Sequence, residues 1–264
     1  MIDLNNPESL FRTEKQVEAY SKFFLSVNPI DSEQEFRNDE EIKDFNTRRE
    51  RLLKTQLNFL GKVDFSKANV ARIEGPYFKI VKKRHSAPLS AEGATKGSSR
   101  FNYKEIIFLK NRSIYFGKTK ICSEIEKFHL EYHREMIRKA FDSAYKYQEG
   151  EIAFDPHWVK QYNVSLDNVL VLTSKPSLDA IGISTSAFMN EWYDINEEYE
   201  VPTSSQILGA IARVNGFKGI LYKSIRHQID SNLVIFEENS GELIFAETES
   251  LDYVPSSELI VKAI

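Results

Sequence analysis

Hydrophobic and polar positions follow two different rhythms along this chain, and the change between them divides it. From Ser32 to Phe59 the residues are rich in Glu, Lys and Arg, with Ile42, Phe45, Leu52, Leu53, Leu57 and Phe59 forming an uneven helical stripe opposite mixed-sign charges. This predicts a solvated helix, either packed on a main domain or serving as a dimerisation or partner arm. From Gly75 onward short apolar runs take over, predicting strands over 77–81 (YFKIV), 106–109 (IIFL) and 113–117 (SIYFG), with a polar loop at 85–99. Residues 120–147 give the strongest helix signal, because Ile121, Ile125, Phe128, Tyr132, Met136, Ile137 and Ala140 recur at three- and four-residue steps. A strand is predicted at 167–173 (DNVLVLT), closed by Pro176.

Residues 174–203 have no clean period. They mix Ser, Thr, Asn and acidic residues with Phe188, Trp192 and Tyr193, which reads as short irregular structure over a pocket or as an insertion. A helix follows at 204–216 with Gly216 as its stop, then strands at 219–222, 232–236 and 243–247, and a last strand in the tail ELIVKAI. The order shows neither regular βαβ alternation nor internal duplication. The expected fold is α+β with a mixed or antiparallel sheet core. Residues 1–70 form a helical N-terminal extension and 71–264 the main domain.

Composition narrows the function classes. The chain has 264 residues, 41% hydrophobic and 12% aromatic, enough for a substantial core. Lys and Arg total 35 against 39 Asp and Glu, a net charge of -4 that argues against a broad nucleic-acid surface. A single cysteine excludes an internal disulfide and any multi-Cys metal site. No run of 18 apolar residues occurs and the opening MIDLNNPES is not a signal peptide, so a soluble cytoplasmic protein without a membrane partner is expected.

The common nucleotide and hydrolase signatures are missing: GxGxxG, GxxxxGK[ST] and GxSxG do not occur. Glu126, His129 and His133 share one helix face at i, i+3 and i+7, but EKFHLEYH is neither HExxH nor HxxEH, and no metal is expected. A second constellation is more informative. GSSRFN places Arg100 after a flexible loop, Tyr115 lies in SIYFG, and Glu126 follows on the helix. ILYKSIRHQIDSNLVIF sets Ser224 and Arg226 after one strand and Asn232 at the start of the next. These types suit a ligand with phosphates and an electron-poor ring. Arg supplies bidentate donors to phosphate, Tyr a stacking face, and Glu a charge against a developing cation.

GSSRFN, IYFGKTKICSEIE and GFKGILYKSIRHQIDSNLVIF, in that order, resemble the RES-domain family, named for its Arg, Glu and Ser, over roughly residues 75–240. The resemblance implies a domain like the catalytic core of ADP-ribosyltransferases, NAD as the consumed substrate, and a toxin neutralised by a cognate antitoxin. It places the family Arg on Arg100, the nicotinamide-contacting Tyr on Tyr115, the Glu on Glu126 (with Glu124 as the alternative register) and the Ser on Ser224. An earlier family Arg is replaced by Lys79, which keeps the charge but loses the bidentate fork.

The expected reaction is cleavage of the nicotinamide–ribose bond, with Glu126, Arg100 and Ser224 catalytic. Lys79, Arg100, Tyr115, Ser224, Arg226 and Asn232 would hold NAD. Water or inorganic phosphate would accept the ADP-ribosyl group; ADP-ribosylation of a protein target and a non-catalytic interaction role are the alternatives. The apolar face of the arm permits a homodimer.

Overall fold

The computed structural model describes residues 14–27, 38–83, 99–102, 113–128, 156–189, 192–227 and 229–251. Two helices come first, α1 (Glu14–Val27) and α2 (Asp39–Leu60). The strands are β1 (Val70–Lys82), β2 (Ser113–Gly117), β3 (His157–Leu172), β4 (Gly219–Lys223), β5 (Ser231–Phe236) and β6 (Leu243–Leu251). Helix α3 covers 120–128 of the described residues. Between β3 and β4 lie α4 (Lys175–Ala180), α5 (Thr185–Met189), α6 (Trp192–Tyr199) and α7 (Ser204–Val214).

The sheet order is β1-β2-β5-β4-β3-β6, and β1 also pairs with β3, so the sheet curls until β1 meets neighbours on both edges. Among the described strands only β3 and β4 run parallel, and their other pairings are antiparallel. The fold is therefore α+β with a mixed, mainly antiparallel sheet, as the run pattern predicts.

Side-chain alternation divides most of the buried strand residues between two faces of the sheet. Ile73, Tyr77, Ile114, Phe116, Tyr162, Val164, Leu166, Leu233 and Ile235 form a cluster of strand residues alone. The opposite face presents Leu170, Leu172, Ile220, Tyr222, Val234 and Phe236 to the helices. There α7 contributes Ile207, Leu208 and Ile211, and α2 contributes Leu53 and Leu57, both fully buried. The stripe on α2 thus packs on the same core as α7.

Several elements differ in extent from the sequence expectation. β3 has 16 residues where only its last third reads as a strand, because Lys160, Gln161, Asn163 and Ser165 interrupt the apolar run of its first half. β1 likewise begins at Val70. The stretch 174–203 contains three short helices. Pro176 lies in the first turn of α4, which Ser174 caps, so the proline opens a helix as well as following a strand. The expected strands at 106–109 and in the tail, the loop at 85–98 and the continuation of α3 beyond 128 fall outside the described residues. No described helix is long and apolar enough to cross a membrane.

Candidate functional site

Helix α3 is laid directly on the sheet. Thr119 caps it, its Oγ1 accepting from the Cys122 N–H at 3.1 Å. Ser123 Oγ accepts from the Gly117 N–H (3.1 Å) and donates to the Phe78 carbonyl (2.8 Å), fixing α3 where β1 and β2 meet. Gly117 permits this approach: a Cβ there would stand 2.5 Å from Ser123 Oγ and 2.7 Å from its backbone nitrogen. Because a backbone atom cannot rotate away, G117A should lower stability by about 2 kcal/mol, measured by urea unfolding; an unchanged midpoint would mean that α3 is not held as described.

One turn beyond Ser123, Glu126 reaches the ends of β4 and β5. Its Oε1 accepts from Ser224 Oγ at 2.6 Å and from Asn232 Nδ2 at 2.7 Å, and its Oε2 from an Arg226 guanidinium nitrogen at 3.2 Å. Ser224 directly follows β4, Asn232 is the second residue of β5, and Arg226 sits on the loop between them. That loop is folded on itself: Ser224 N–H donates to the Asp230 carbonyl (3.1 Å), and Asp230 N–H to the His227 carbonyl (2.9 Å). The His227 N–H donates to Ser224 Oγ at 2.9 Å, leaving the hydroxyl proton directed at Glu126. Ser224 is thus bonded to a carboxylate rather than to an imidazole base, the arrangement of a positioning hydroxyl rather than an activated nucleophile. Glu126 keeps 27% of its side chain exposed, so the oriented carboxylate is accessible.

A second group forms around Arg100. Ser99 and Asn102 close a tight turn, with Ser99 N–H donating to the Asn102 carbonyl at 2.7 Å. Tyr115 Oη lies 2.8 Å from Ser99 Oγ and accepts from the Phe101 N–H at 2.9 Å. The fully buried Gln206, on α7, donates to the Ser99 carbonyl at 2.9 Å. Gly209 lets the turn lie against α7, since a Cβ there would come within 2.4 Å of the Phe101 carbonyl oxygen. Held on these sides, Arg100 donates to the Phe188 carbonyl at 3.0 Å. Burial pushes the Tyr115 phenol up to about 12, keeping it a neutral hydrogen-bonding group.

Tyr222 connects the two groups. It lies directly across from Asn232 in the β4–β5 pair and alternates with Ser224 on one face of β4. Its ring meets Phe101 edge-on at 4.9 Å. Burial first, and then the Glu126 charge, hold its phenol well above the ordinary range, while Arg100 acts in the opposite sense. Tyr222 thus touches the Arg100 turn through Phe101 and pairs across the sheet with Asn232 of the Glu126 cluster.

Of the residues singled out in the sequence, Glu126, Ser224, Arg226 and Asn232 meet directly, and Tyr115 on β2 hydrogen-bonds to the turn that carries Arg100. Glu124, two residues before Glu126, points elsewhere on the helix; it is buried near Lys120 and Glu249, and burial raises its carboxyl. His129 and His133 fall outside the described residues. Lys79 lies apart: Phe78 and Ile80, its neighbours on β1, pack with Phe128 of α3, so Lys79 takes the other face, directly opposite Lys160. Burial, and then the Lys160 charge, bring its ammonium down to about 8.

That depression has a signed consequence for stability. Between pH 8 and the ordinary lysine value of 10.5 the unfolded chain holds more protons than the folded one, so stability from this group rises with pH across that window. K79M should therefore stabilise the protein by about 2 kcal/mol at pH 7, with the gain shrinking above pH 8 and gone above 10.5. Thermal unfolding of both proteins at pH 7 and 10 checks this; a destabilised variant at pH 7 would refute it.

Sequence reasoning assigned no role to Tyr222 or Gln206. A signal for each was present: Tyr222 alternates with Ser224 in ILYKS, and Thr203-Ser-Ser-Gln206 has capping-box spacing. Gln206 does accept from the Thr203 N–H at 2.8 Å, but its amide group turns to the Arg100 turn, which local spacing does not reveal.

Comparison with known proteins places this geometry in context. No curated protein matches the chain. Among solved structures, a chain of the crystal structure of the M. tuberculosis MbcT–MbcA toxin–antitoxin complex superposes with a TM-score of 0.53 at 16% identity, covering 77% of this chain and 97% of that one. At that identity the likeness is one of fold. The RES domain model matches residues 70–255, from the first residue of β1 to beyond β6. With most of its length accounted for in this way, the protein belongs to the RES-domain family.

Proposed function

We propose that this protein consumes NAD by cleaving the bond between nicotinamide and ribose, and that it is the toxin of a toxin–antitoxin pair. The observation that carries the reading is the convergence on Glu126 of three donors from separate positions: Ser224, Arg226 and Asn232. Nicotinamide leaves with the bonding electron pair, which neutralises its ring charge and leaves positive charge on the ribose. A fixed carboxylate stabilises that charge without having to reorient. Glu126 faces the ribose, Arg100 binds phosphate oxygens, and Tyr115 and Tyr222 supply aromatic surface near the leaving group. Lys79, on the other face of β1, contributes at most a long-range field. Water then adds to the ribose to give ADP-ribose and a proton, whereas phosphate gives ADP-ribose 1''-phosphate.

Support for the toxin role comes from the family and from the structural neighbour, a chain of a toxin–antitoxin complex. The test is nicotinamide release from NAD by the purified chain with and without inorganic phosphate, the products being separated by chromatography. ADP-ribose or its 1''-phosphate is the expected product. Label from NAD fixed on protein instead would favour ADP-ribosyl transfer, and no release from NAD in buffer or in cell extract would sink the reading.

A further inference from the structure

Beside the Glu126 cluster lies a set of side chains that NAD cleavage does not use. Cys122 on the first turn of α3 and His227 and Asp230 on the β4–β5 loop bring one ligand atom each to within 4.8 Å of one another. Cys122 is buried. His227 Nδ1 is shielded from solvent and has no hydrogen-bond partner among the described residues; Asp230 Oδ2 is 3.9 Å away. Asp230 is already oriented, its Oδ2 accepting from Thr119 Oγ1 at 2.5 Å and its Oδ1 from the Ser231 N–H at 2.8 Å. The same Thr119 oxygen accepts from the Cys122 N–H, so one residue ties two of the three groups together.

We propose that Cys122, His227 and Asp230 bind a thiophilic divalent cation, zinc being the best match. A thiolate, an imidazole and a carboxylate are the three ligand types zinc takes together, and a hard oxygen-seeking ion such as magnesium would not select the sulfur. Ligand atoms around tetrahedral zinc stand roughly 3.5 Å apart, so the 3.9 Å pair needs only a small closure. The unpartnered nitrogen gains an acceptor for its lone pair. Thr119 acts as the outer hydrogen bond that holds the carboxylate ligand in place. Water completes the fourth position. Binding displaces the thiol proton to solvent, and the two anionic ligands balance the two charges of the ion.

The site is linked to Glu126 through one side chain. Asn232 Oδ1 accepts from Cys122 Sγ at 3.3 Å, and Asn232 Nδ2 donates to Glu126 at 2.7 Å. When metal takes the sulfur as thiolate, that S–H donor is lost and the amide oxygen faces a negative sulfur. Asn232 must shift, and Glu126 loses a donor. Metal occupancy is therefore expected to inhibit nicotinamide release, an effect that rests on the NAD reading; the binding itself does not.

The test uses the full chain. Zinc affinity is measured by competition with a chromophoric chelator, and cobalt(II) is added separately to read the near-ultraviolet thiolate-to-metal charge-transfer band. One ion per chain is expected, with that band present, absent in C122S, and the affinity at least about tenfold weaker in H227Q. Circular dichroism checks that each variant is folded; should C122S not fold, H227Q and D230N carry the comparison. No stoichiometric binding, or binding that H227Q and D230N leave unchanged, would overturn the proposal. Binding without inhibition would leave the metal site standing and remove its link to Glu126.

Discussion

E126Q is expected to lower nicotinamide release from NAD by about 100- to 1,000-fold, the usual effect of removing one preorganised electrostatic group, while leaving the fold intact. The substitution is nearly isosteric, and a glutamine Oε1 in the same place still accepts from Ser224 and Asn232. What is lost is the charge, and with it the stabilisation of a ribose that becomes cationic only as the bond breaks. The loss should therefore appear in kcat rather than in KM for NAD. The chain also provides an internal comparison, because Glu124 lies two residues away on another face of α3. E124Q should retain release within a few-fold of the unmodified protein. If the two variants were equally active, Glu126 would have no catalytic role; if E124Q were the defective one, the register of the site would be wrong.

Q206L should have the largest effect on stability. Gln206 is wholly buried and saturated: besides the Ser99 carbonyl and the Thr203 N–H, its amide exchanges hydrogen bonds with Asn196 at 2.6 and 3.1 Å. Leucine fills a similar volume but strands the Thr203 N–H and the Asn196 amide oxygen, and it costs the Ser99 carbonyl one of its two donors, the Asn102 N–H remaining. At about 1–3 kcal/mol for each stranded group, and with partial relaxation, a loss of about 3–5 kcal/mol follows. That corresponds to a fall in Tm of roughly 10 °C for a chain of this size. Q206E is the informative companion. It keeps an acceptor for Thr203 but turns a carboxylate oxygen toward the Ser99 carbonyl, so it too should be destabilised. Because Ser99 opens the turn that carries Arg100, both variants should raise KM for NAD more than they lower kcat. An unchanged Tm would show that the network is dispensable, and an unchanged KM would separate Gln206 from Arg100.

How much of this could be read beforehand depended on whether the determining interactions were local. α7 and β5 were legible because their signals are contiguous: a capping residue, a periodic apolar stripe and a glycine stop in one case, an unbroken apolar run in the other. The first half of β3 was obscured because a strand paired on both edges tolerates Lys160, Gln161 and Asn163 when its partners complete the ladders. The short helices of 174–203 were obscured for a related reason. They are too short to show a period, and each is stable only against the core that receives Leu178, Ile181 and Phe188.

The candidate site divides in the same way. Sequence by itself determined the chemical types, since Arg100, Tyr115, Glu126, Ser224, Arg226 and Asn232 stand at element ends in motifs that resemble one family. It also located several of the strands, because strand signals depend on residues close together in the chain, but it left the sheet as mixed or antiparallel until the parallel pairing of β3 with β4 decided it. Only the tertiary structure decided which of those groups touch. Glu126 and Ser224 are 98 residues apart in sequence and 2.6 Å apart in space, a meeting produced by Gly117, Ser123 and the pairing of β5 with both β2 and β4. The same alternation that turns Phe78 toward α3 turns Lys79 away from it. A lysine matched to a family position by sequence thus stands on the far face of its strand, because the side of a sheet a residue occupies is fixed by pairing register and not by residue type.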